Sequence, residues 1–350
     1  MKKVLIAGVF SLIISGCTLQ LGGSNTPSIA GIFKSTDRGQ TWMVKNTFLS
    51  AGGVGNIAGA GVVAIVPDPQ DPKTFYVPTT NAGLLYSYDS ADSWLQASAL
   101  GTASLASVAV DAKDKCNIYA VKLNTVVKST DCARSWSEVF IDSKSVAKNR
   151  ITAVAVDSFN TKIVYAGDSQ GDLFKSSDSG ATWQVVNRTK NEIADIMINP
   201  KDTRIIYVAT VNQGIYKTID NGVSWADINA DLKKYSGAME YHSMSFDATL
   251  PDAVLLVAKY GLLKSNDGGN TWQGLTLVTP PTSADILAAA ISTANNQEIY
   301  YATRNTFYKT VDGGQNWITK RLPSIAVPTY LLVDPGNPNI LYLGLQQPAK

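Results

Sequence analysis

Four acidic residues are the candidates that the sequence offers for hydrolytic chemistry. Glu192, Asp195, Glu240 and Asp285 each lie close to the start of a predicted β-strand. Glycoside hydrolysis requires two carboxyl groups roughly 5–10 Å apart, one of them with a raised pKa. Sequence spacing alone does not place any two of the four at that separation, and carboxylates in loops are usually solvated. We therefore expect no catalytic site and retain these four residues as the alternative.

The composition argues against several other kinds of site. One His and three Cys do not supply the ligands of a multi-histidine site or a zinc ribbon, so we expect no metal and no cofactor. The 30 basic and 28 acidic residues give a net charge of +2, and two of the lysines lie at positions 2 and 3. Without residues 1–16 the chain is neutral, and it lacks the basic surface that nucleic-acid binding requires.

The N-terminal residues predict export and attachment to a membrane. Two lysines precede an apolar run over 4–14, which is too short for the roughly 20 helical residues that span a bilayer and fits a secretory signal. Ile14-Ser15-Gly16-Cys17 resembles the lipobox of bacterial lipoproteins, which implies cleavage before Cys17 and acylation of that residue. The alternative is an ordinary signal peptide. We predict a signal peptide over 1–16, a lipidated Cys and flexible tether over 17–29, and an exported lipoprotein that faces the periplasm or the cell exterior.

All seven Trp residues end variants of one eight-residue pattern, Ser/Thr-x-Asp-x-Gly-x-Ser/Thr-Trp, whose Asp positions are 42 to 52 residues apart. The pattern is typical of a tight hairpin turn, in which the carboxylate accepts backbone N–H bonds and Gly adopts positive φ. Ala91 and Ala133 replace Gly in two units, so we expect those turns to be less regular. We expect each Trp ring to pack under its own hairpin. The residues predicted to be structural rather than calcium ligands are Asp37, Trp42, Asp89, Trp94, Asp131, Trp136, Asp178, Trp183, Asp220, Trp225, Asp267, Trp272, Asp312 and Trp317.

The predicted strands around each unit also repeat. Three short apolar strands precede each unit and a fourth follows the Trp, which is the signature of a β-propeller blade. The first unit lacks its preceding hairpin, and the C-terminal segments 330–334 and 340–344 supply one. We therefore predict an all-β fold in one domain over 30–346. It is a seven-bladed propeller of four-stranded blades, closed by pairing the C-terminal hairpin with the N-terminal strands.

Two cysteines remain if Cys17 is lipidated. Antiparallel pairing across a predicted turn at 121–125 brings Cys116 close to Cys132, so a disulfide is feasible. The alternative is a pair of buried thiols. A bridge that closes a loop of roughly 15 residues contributes about 3 kcal/mol to stability.

We expect ligands or partners at the face opposite the eight-residue turns, where the connections 46–60, 141–150, 227–242 and 274–285 are longest. Cations and amphipathic aromatics favour a protein-binding surface, and the alternative is a solvated loop face. His242 is expected to begin a strand rather than to bind a ligand. The predicted partner-binding residues are Lys144, Lys148, Arg150, Lys233, Lys234, Tyr235, Tyr241 and His242.

The eight-residue pattern resembles the Asp box, or bacterial neuraminidase repeat. An export signal followed by one propeller with a box in every blade is similar to the photosystem II stability/assembly factor family. This resemblance implies a non-enzymatic scaffold that is held at a membrane and binds a protein partner. Sortilin-type, sialidase-type and xyloglucanase-type propellers share the box and are more distantly similar. The sialidase and xyloglucanase types imply the alternative function, a carbohydrate-binding or glycoside-hydrolysing propeller with a glycan ligand.

Overall fold

The part of the chain that the structure describes folds into four-stranded antiparallel sheets. The computed structural model describes residues 28–141, 149–250 and 252–348. The strands, in chain order, are β1 (Gly31–Ser35), β2 (Met43–Val44), β3 (Thr47–Ser50), β4 (Gly53–Asn56), β5 (Val66–Pro67), β6 (Phe75–Pro78), β7 (Leu84–Ser87), β8 (Leu95–Gln96), β9 (Leu105–Val110), β10 (Ile118–Lys122), β11 (Thr125–Ser129), β12 (Ser137–Ile141), β13 (Ile151–Val156), β14 (Val164–Asp168), β15 (Asp172–Ser176), β16 (Gln184–Arg188), β17 (Ile193–Ile198), β18 (Ile206–Thr210), β19 (Ile215–Thr218), β20 (Ala226–Asp227), β21 (Tyr241–Phe246), β22 (Val254–Ala258), β23 (Gly261–Ser265), β24 (Gln273–Gly274), β25 (Ala288–Ile291), β26 (Ile299–Ala302), β27 (Thr306–Thr310), β28 (Ile318–Arg321), β29 (Val327–Val333) and β30 (Leu341–Gln346). Two 3-10 helices span Ser98–Leu100 and Leu232–Lys234. Within these described ranges, no helix has the length and apolarity needed to cross a membrane.

Each four-stranded sheet is one blade of a propeller. From inner to outer strand, blades 1 to 6 are β5–β8, β9–β12, β13–β16, β17–β20, β21–β24 and β25–β28, and blade 7 is β29, β30, β1 and β2. Because β1 pairs with both β30 and β2, the two ends of the chain build one sheet and close the ring. The predicted all-β, seven-bladed propeller and its closure are confirmed. The signal segment 1–16, Cys17, Lys144 and Lys148 lie outside the described residues.

A hairpin formed by β3 and β4 was not predicted. The segment 46–60, predicted only as a long connection, contains two paired strands, Thr47–Ser50 and Gly53–Asn56. The hairpin extends the outer edge of blade 1, where the Leu49 amide donates to the Trp94 carbonyl at 2.8 Å and the Trp94 amide donates to the Thr47 carbonyl at 2.9 Å. The outer strand of this blade is only two residues long, so the hairpin pairs with backbone groups that would otherwise face solvent.

The apolar core is divided among the junctions between blades. The second strand of each blade is buried on both faces, whereas outer strands such as β28 are exposed. Because successive side chains on a strand point to opposite faces, Leu255 and Val257 pack toward blade 6 while Val254 and Leu256 pack toward blade 4. Among the described residues, seven such clusters join the seven pairs of adjacent blades. Hydrophobic burial therefore stabilises the closed ring rather than each blade by itself.

A lysine–tyrosine contact, which was not predicted from the sequence, also joins neighbouring blades. In blade 4, Lys217 Nζ and Tyr207 Oη both donate to the Gly268 carbonyl in the turn of blade 5, at 2.7 and 3.1 Å. The ammonium also lies 5.3 Å from the centre of the Tyr207 ring, a cation–π distance. We call this arrangement the blade latch. It recurs with Lys128 and Tyr119 on the Ser179 carbonyl, and with Lys175 and Tyr165 on the Asn221 carbonyl.

The Cys116–Cys132 disulfide is present. It joins two turns of blade 2 that a backbone bond also joins, because the Cys132 amide donates to the Cys116 carbonyl at 3.3 Å. The corresponding backbone bond is found in the other blades, for example from Ser179 to Lys162. In blade 1, Tyr86 replaces the latch lysine that would face the turn containing Cys132. The disulfide therefore strengthens a turn that receives no lysine hydrogen bond from the preceding blade.

Candidate functional site

The seven eight-residue units adopt one turn, in which the Asp accepts donors from within the turn. In the unit at 176–183, the amide and hydroxyl of Thr182 donate to the two Asp178 oxygens at 2.8 and 2.6 Å, and the Ser176 hydroxyl donates at 2.8 Å. These bonds, with the Thr182 hydroxyl first, lower the pKa of Asp178 to about 2. The corresponding backbone bond occurs in the other six units, and the hydroxyl bond occurs in five of them. In the last unit the side-chain amide of Asn316 donates to Asp312 Oδ2 at 2.8 Å instead. The described residues contain no group of three or more His, Cys, Asp or Glu that could hold a metal ion.

The turns that contain Ala91 and Ala133 were expected to be less regular, and that expectation is wrong. The amides of Ala91 and Ala133 donate to the first Ser of their units at 3.0 and 2.9 Å, as the Gly amides do elsewhere. Both Ala residues adopt positive φ, 70° and 67°. Positive φ alone therefore does not require glycine in these turns. At Gly39 glycine is required by packing, since an added Cβ would lie 2.4 Å from the ring of Phe307 in the preceding blade.

The Trp rings contact the preceding blade as well as their own hairpin. The indole N–H groups of Trp94, Trp183 and Trp317 donate to carbonyls in or next to the outer strand before them, at 2.7, 3.1 and 2.7 Å. Trp183 also donates to the Gly180 carbonyl of its own turn at 3.0 Å. Each of these rings therefore lies between blades, and does not only pack under its own hairpin as predicted.

The predicted basic and aromatic residues are distributed over different parts of the ring. Arg150 precedes β13 and pairs with Glu192 at 3.5 Å, next to the start of β17. Lys233 and Lys234 lie in the 3-10 helix of the 228–240 connection, between blades 4 and 5. Their side chains are exposed, and Lys234 pairs with Asp231. The structure does not bring Arg150 into contact with this pair of lysines.

The 228–240 connection is held firmly on the outer strand of blade 5. Asp231 accepts the backbone N–H of Trp272, and the Tyr235 hydroxyl donates to the carbonyl of the same residue, both at 2.7 Å. The Tyr235 ring packs edge-on against Tyr260 at 5.0 Å, and Leu232 is fully buried. Tyr235 thus supports the connection, while its lysines point to solvent.

The inner strands surround a central channel of about 630 Å³. Small and apolar side chains from all seven blades form most of its wall. Among the described residues that line it, none is Lys or Arg, Asp195 is the only acidic residue and His242 is the only histidine. A cation that entered this channel would therefore meet one formal negative charge and no fixed positive charge.

Two of the predicted residues meet inside this channel. The Tyr241 hydroxyl of β21 donates to Asp195 Oδ2 at 2.7 Å, and the Ile196 amide donates to Asp195 Oδ1 at 2.8 Å. Desolvation raises the pKa of Asp195, although the side chain retains some exposure to the channel. Desolvation, followed by the nearby Asp195 charge, also raises the pKa of Tyr241 and brings that of Tyr330 to about 12. Tyr330 was not identified from the sequence.

A β-bulge explains how Asp195 comes to line the channel. The inner strands of five blades contain a bulge at the same place, and the next residue is Ser107, Ala153, Asp195, Ser243 or Tyr330. His242 is the bulge residue of β21, and its Nδ1 lies 3.1 Å from the Ile286 carbonyl of blade 6. Thr152, the bulge residue of β13, likewise donates to the Ile193 carbonyl of the next blade at 2.6 Å. His242 therefore occupies a position that joins blades.

The other predicted carboxylates do not form a pair in the channel. Glu192 pairs with Arg150, and Asp285 is exposed and lies 4.0 Å from Lys259. Glu240 is exposed immediately before β21. Asp195 alone among the four lines the channel.

Comparison with known proteins agrees with the fold. The family model described as sortilin, neurotensin receptor 3, matches residues 171–261, which is less than half of the chain. No curated protein matches the sequence.

Among solved structures, the chain is similar to the GH74 enzyme of Niastella koreensis, with a TM-score of 0.66 and 17% identity over 82% of this chain and 51% of that one. It is similar to the GH74 xyloglucanase of Xanthomonas campestris, with a TM-score of 0.64 and 19% identity over 82% of this chain and 51% of that one. The chain thus spans about half the length of these two. It is also similar to YCF48 bound to a D1 peptide, with a TM-score of 0.62 and 16% identity over 83% of this chain and 94% of that one. At such identities these likenesses show the shared fold, a seven-bladed propeller.

Proposed function

We propose that this chain is a non-catalytic interaction or assembly scaffold whose propeller presents loops to a protein partner. The observation that carries the proposal is the 228–240 connection. Its backbone is fixed by Asp231, Leu232 and Tyr235, while Lys233 and Lys234 remain exposed on it. A loop that is ordered before binding loses little conformational entropy when a partner docks, so its charged groups contribute more to affinity. The likeness to YCF48, solved with a bound D1 peptide, supports a peptide or protein ligand.

The distribution of carboxylates favours this function over glycoside hydrolysis. A hydrolase of that kind needs two cooperating carboxyl groups. Here Asp195 bonds to a tyrosine, Glu192 pairs with an arginine and Asp285 lies near a lysine. A glycan ligand, suggested by the GH74 likeness, is the alternative that the experiment below distinguishes.

The proposal is tested by affinity capture from native membranes. The variant replaces Lys233 and Lys234 with Ala and leaves Tyr235 intact, because Tyr235 holds the connection in place. A matched control replaces Lys162 and Lys201, two exposed lysines in turns on the opposite face of the ring, and so changes the charge equally. We expect the unaltered chain and the control to recover the same membrane protein, and the Lys233/Lys234 variant to lose it. Equal recovery by all three would contradict the proposal, as would a glycan ligand on an array with no protein partner.

We further propose that the protein is exported and anchored in a membrane through acylated Cys17. The support is the sequence of residues 1–17. The test is metabolic labelling with a radioactive or alkyne-tagged fatty acid in a bacterial host. Label is expected on the unaltered chain and absent from Cys17→Ser, whereas Cys116→Ser, which keeps Cys17, should remain labelled. Label that persists in Cys17→Ser would contradict this proposal.

A further inference from the structure

Blade 4 has a carboxylate in the channel at a position where other blades have Ser or Ala. Asp195 follows the β-bulge of blade 4, and the equivalent residues of blades 2, 3 and 5 are Ser107, Ala153 and Ser243. Those blades form the same four-stranded sheets without a carboxylate at this place. The fold therefore does not require Asp195, and an ionised carboxylate in an apolar channel costs stability unless it is compensated.

The hydrogen bonds of Asp195 leave room for a ligand. Its two oxygens accept one bond each, from the Tyr241 hydroxyl and from the Ile196 amide. An ionised carboxylate has about four lone-pair sites, so two remain for an incoming donor. Neither donor carries a positive charge, and no Lys or Arg is among the described channel residues.

We propose that the central channel binds a primary ammonium group on a short apolar stem, with Asp195 as its counter-ion. The ammonium would donate to the unoccupied lone pairs of Asp195, in a charge-assisted hydrogen bond. Tyr241 holds the carboxylate in place through its 2.7 Å bond, and Tyr330 adds an aromatic side chain to the lining of the same channel. The apolar walls, which include Ala64, Val108 and Leu332, accept the methylene groups of the stem.

A single carboxylate suits an ammonium ion better than a divalent metal. Ca²⁺ takes six to eight oxygen ligands and usually several charged ones. In the ranges that the structure describes, the channel contains only one acidic side chain, and no three metal-ligating residues come together. An ammonium group needs one negative partner, and Asp195 supplies it.

The ammonium could belong to a free small amine or to a lysine side chain of a partner protein. The two sources share the same chemistry at Asp195 and differ in what must fit at the channel mouth. The inference does not depend on the role proposed for Lys233 and Lys234, which lie in the 228–240 connection and outside the channel lining.

The test measures binding of n-butylammonium chloride to the full mature chain by titration calorimetry, at concentrations up to about 10 mM. The matched probe is n-butanol, which has the same stem and no charge. The main variant is Asp195→Asn, which keeps the size of the side chain and an oxygen for the Tyr241 hydroxyl. Asp285→Asn, at an exposed carboxylate, removes the same charge outside the channel lining and is the control.

We expect n-butylammonium to bind the unaltered chain and the Asp285→Asn control equally, and to bind Asp195→Asn about tenfold or more weakly. We expect the unfolding midpoint of Asp195→Asn to be unchanged or higher, since the variant removes a desolvated charge. Thus a loss of binding would not reflect a loss of folding. Equal binding by Asp195→Asn, equal binding of butanol, or no binding in this range would overturn the proposal. Displacement of the amine by micromolar Ca²⁺ or Zn²⁺ would also overturn it, because the site would then be a metal site.

Two further probes distinguish the source of the amine. One is Nα-acetyl-lysine methylamide, and the other is a pentapeptide with a central lysine flanked by glycines. Binding of the pentapeptide at least as tight as that of butylammonium would support a lysine of a partner protein. Binding of butylammonium alone would support a free amine.

Discussion

Lys217 and Tyr207 share one acceptor, the carbonyl of Gly268, and a double-mutant cycle measures what that sharing contributes to stability. The two donor distances are 2.7 and 3.1 Å, and Gly268 is buried. Lys217→Met removes a charged hydrogen bond and a cation–π contact, but it also removes an ammonium whose pKa burial has lowered. We expect a net loss of about 1–2 kcal/mol for this change, and about 0.5–1.5 kcal/mol for Tyr207→Phe.

The double variant distinguishes this explanation from two independent contacts. Each single variant leaves the Gly268 carbonyl with one of the two donors, whereas the double variant removes both from a buried acceptor. An unsatisfied buried acceptor costs about 1–3 kcal/mol, so the double loss should exceed the sum of the single losses by about 1–2 kcal/mol. The assay is urea unfolding followed by Trp fluorescence. Lys201→Met and Tyr88→Phe, at an exposed lysine and a half-exposed tyrosine, control for the changes of residue type. Single losses that add within about 0.5 kcal/mol would refute the shared acceptor.

Three other predictions concern the turns of the ring. Replacing Cys116 and Cys132 with Ser should lower the free energy of unfolding by about 3 kcal/mol, measured by urea unfolding without reductant, and an unchanged midpoint would contradict a stabilising disulfide. The Asp178 pKa is about 2 in the fold, below the ordinary value near 4, so its stabilising contribution should be complete above pH 4 and be lost as the pH falls toward 2. The free energy of unfolding of Asp178→Asn should fall less than that of the unaltered chain over this pH range. An equal dependence on pH in the two proteins would argue against the hydrogen bonds assigned to Asp178. Gly39→Ala should cost about 2–4 kcal/mol because its Cβ meets Phe307, and thermal unfolding of Gly39→Ala in a Phe307→Leu background should show part of that loss restored.

The ring itself could be predicted because its determinants are local and repeated. Each unit places a Ser or Thr, an Asp and a Trp at fixed spacing, and the bonds from Thr182 and Ser176 to Asp178 need no distant residue. The blade latch is longer in range and was missed, although the sequence contains a signal for it. A lysine directly precedes the first Ser or Thr in six of the seven units, and Tyr86 takes its place in the remaining one.

Other features depend on pairing that a single sequence does not specify. The β3–β4 hairpin contains Gly53 and Gly55 and pairs with the edge of a distant strand, so its residues show no strand-like alternation. The channel site depends on a β-bulge. The extra residue in β17 shifts the register, and the shift determines which of the following side chains face the channel. Asp195 and Tyr241 were identified individually, Asp195 as an alternative hydrolytic carboxylate and Tyr241 as a partner-binding residue. Their contact becomes visible only once the register of two blades is known.

The repeat within the chain provides its own comparison for judging the channel residues. Leu105, Ile151 and Ile193 precede the bulges of blades 2, 3 and 4 and are buried, whereas Tyr241 takes this position in blade 5. A residue that every blade contains, such as the Asp of each turn, is explained by the fold that all blades share. A polar residue that replaces an apolar one in a single blade has no such explanation, and here it occurs with a carboxylate in the adjacent blade. Returning both positions to the residues of blade 3, with Tyr241→Ile and Asp195→Ala, should therefore preserve the propeller and its unfolding midpoint while abolishing amine binding. A collapse of the fold in that double variant would show instead that the pair is a structural contact between blades 4 and 5, and circular dichroism with thermal unfolding would decide the matter.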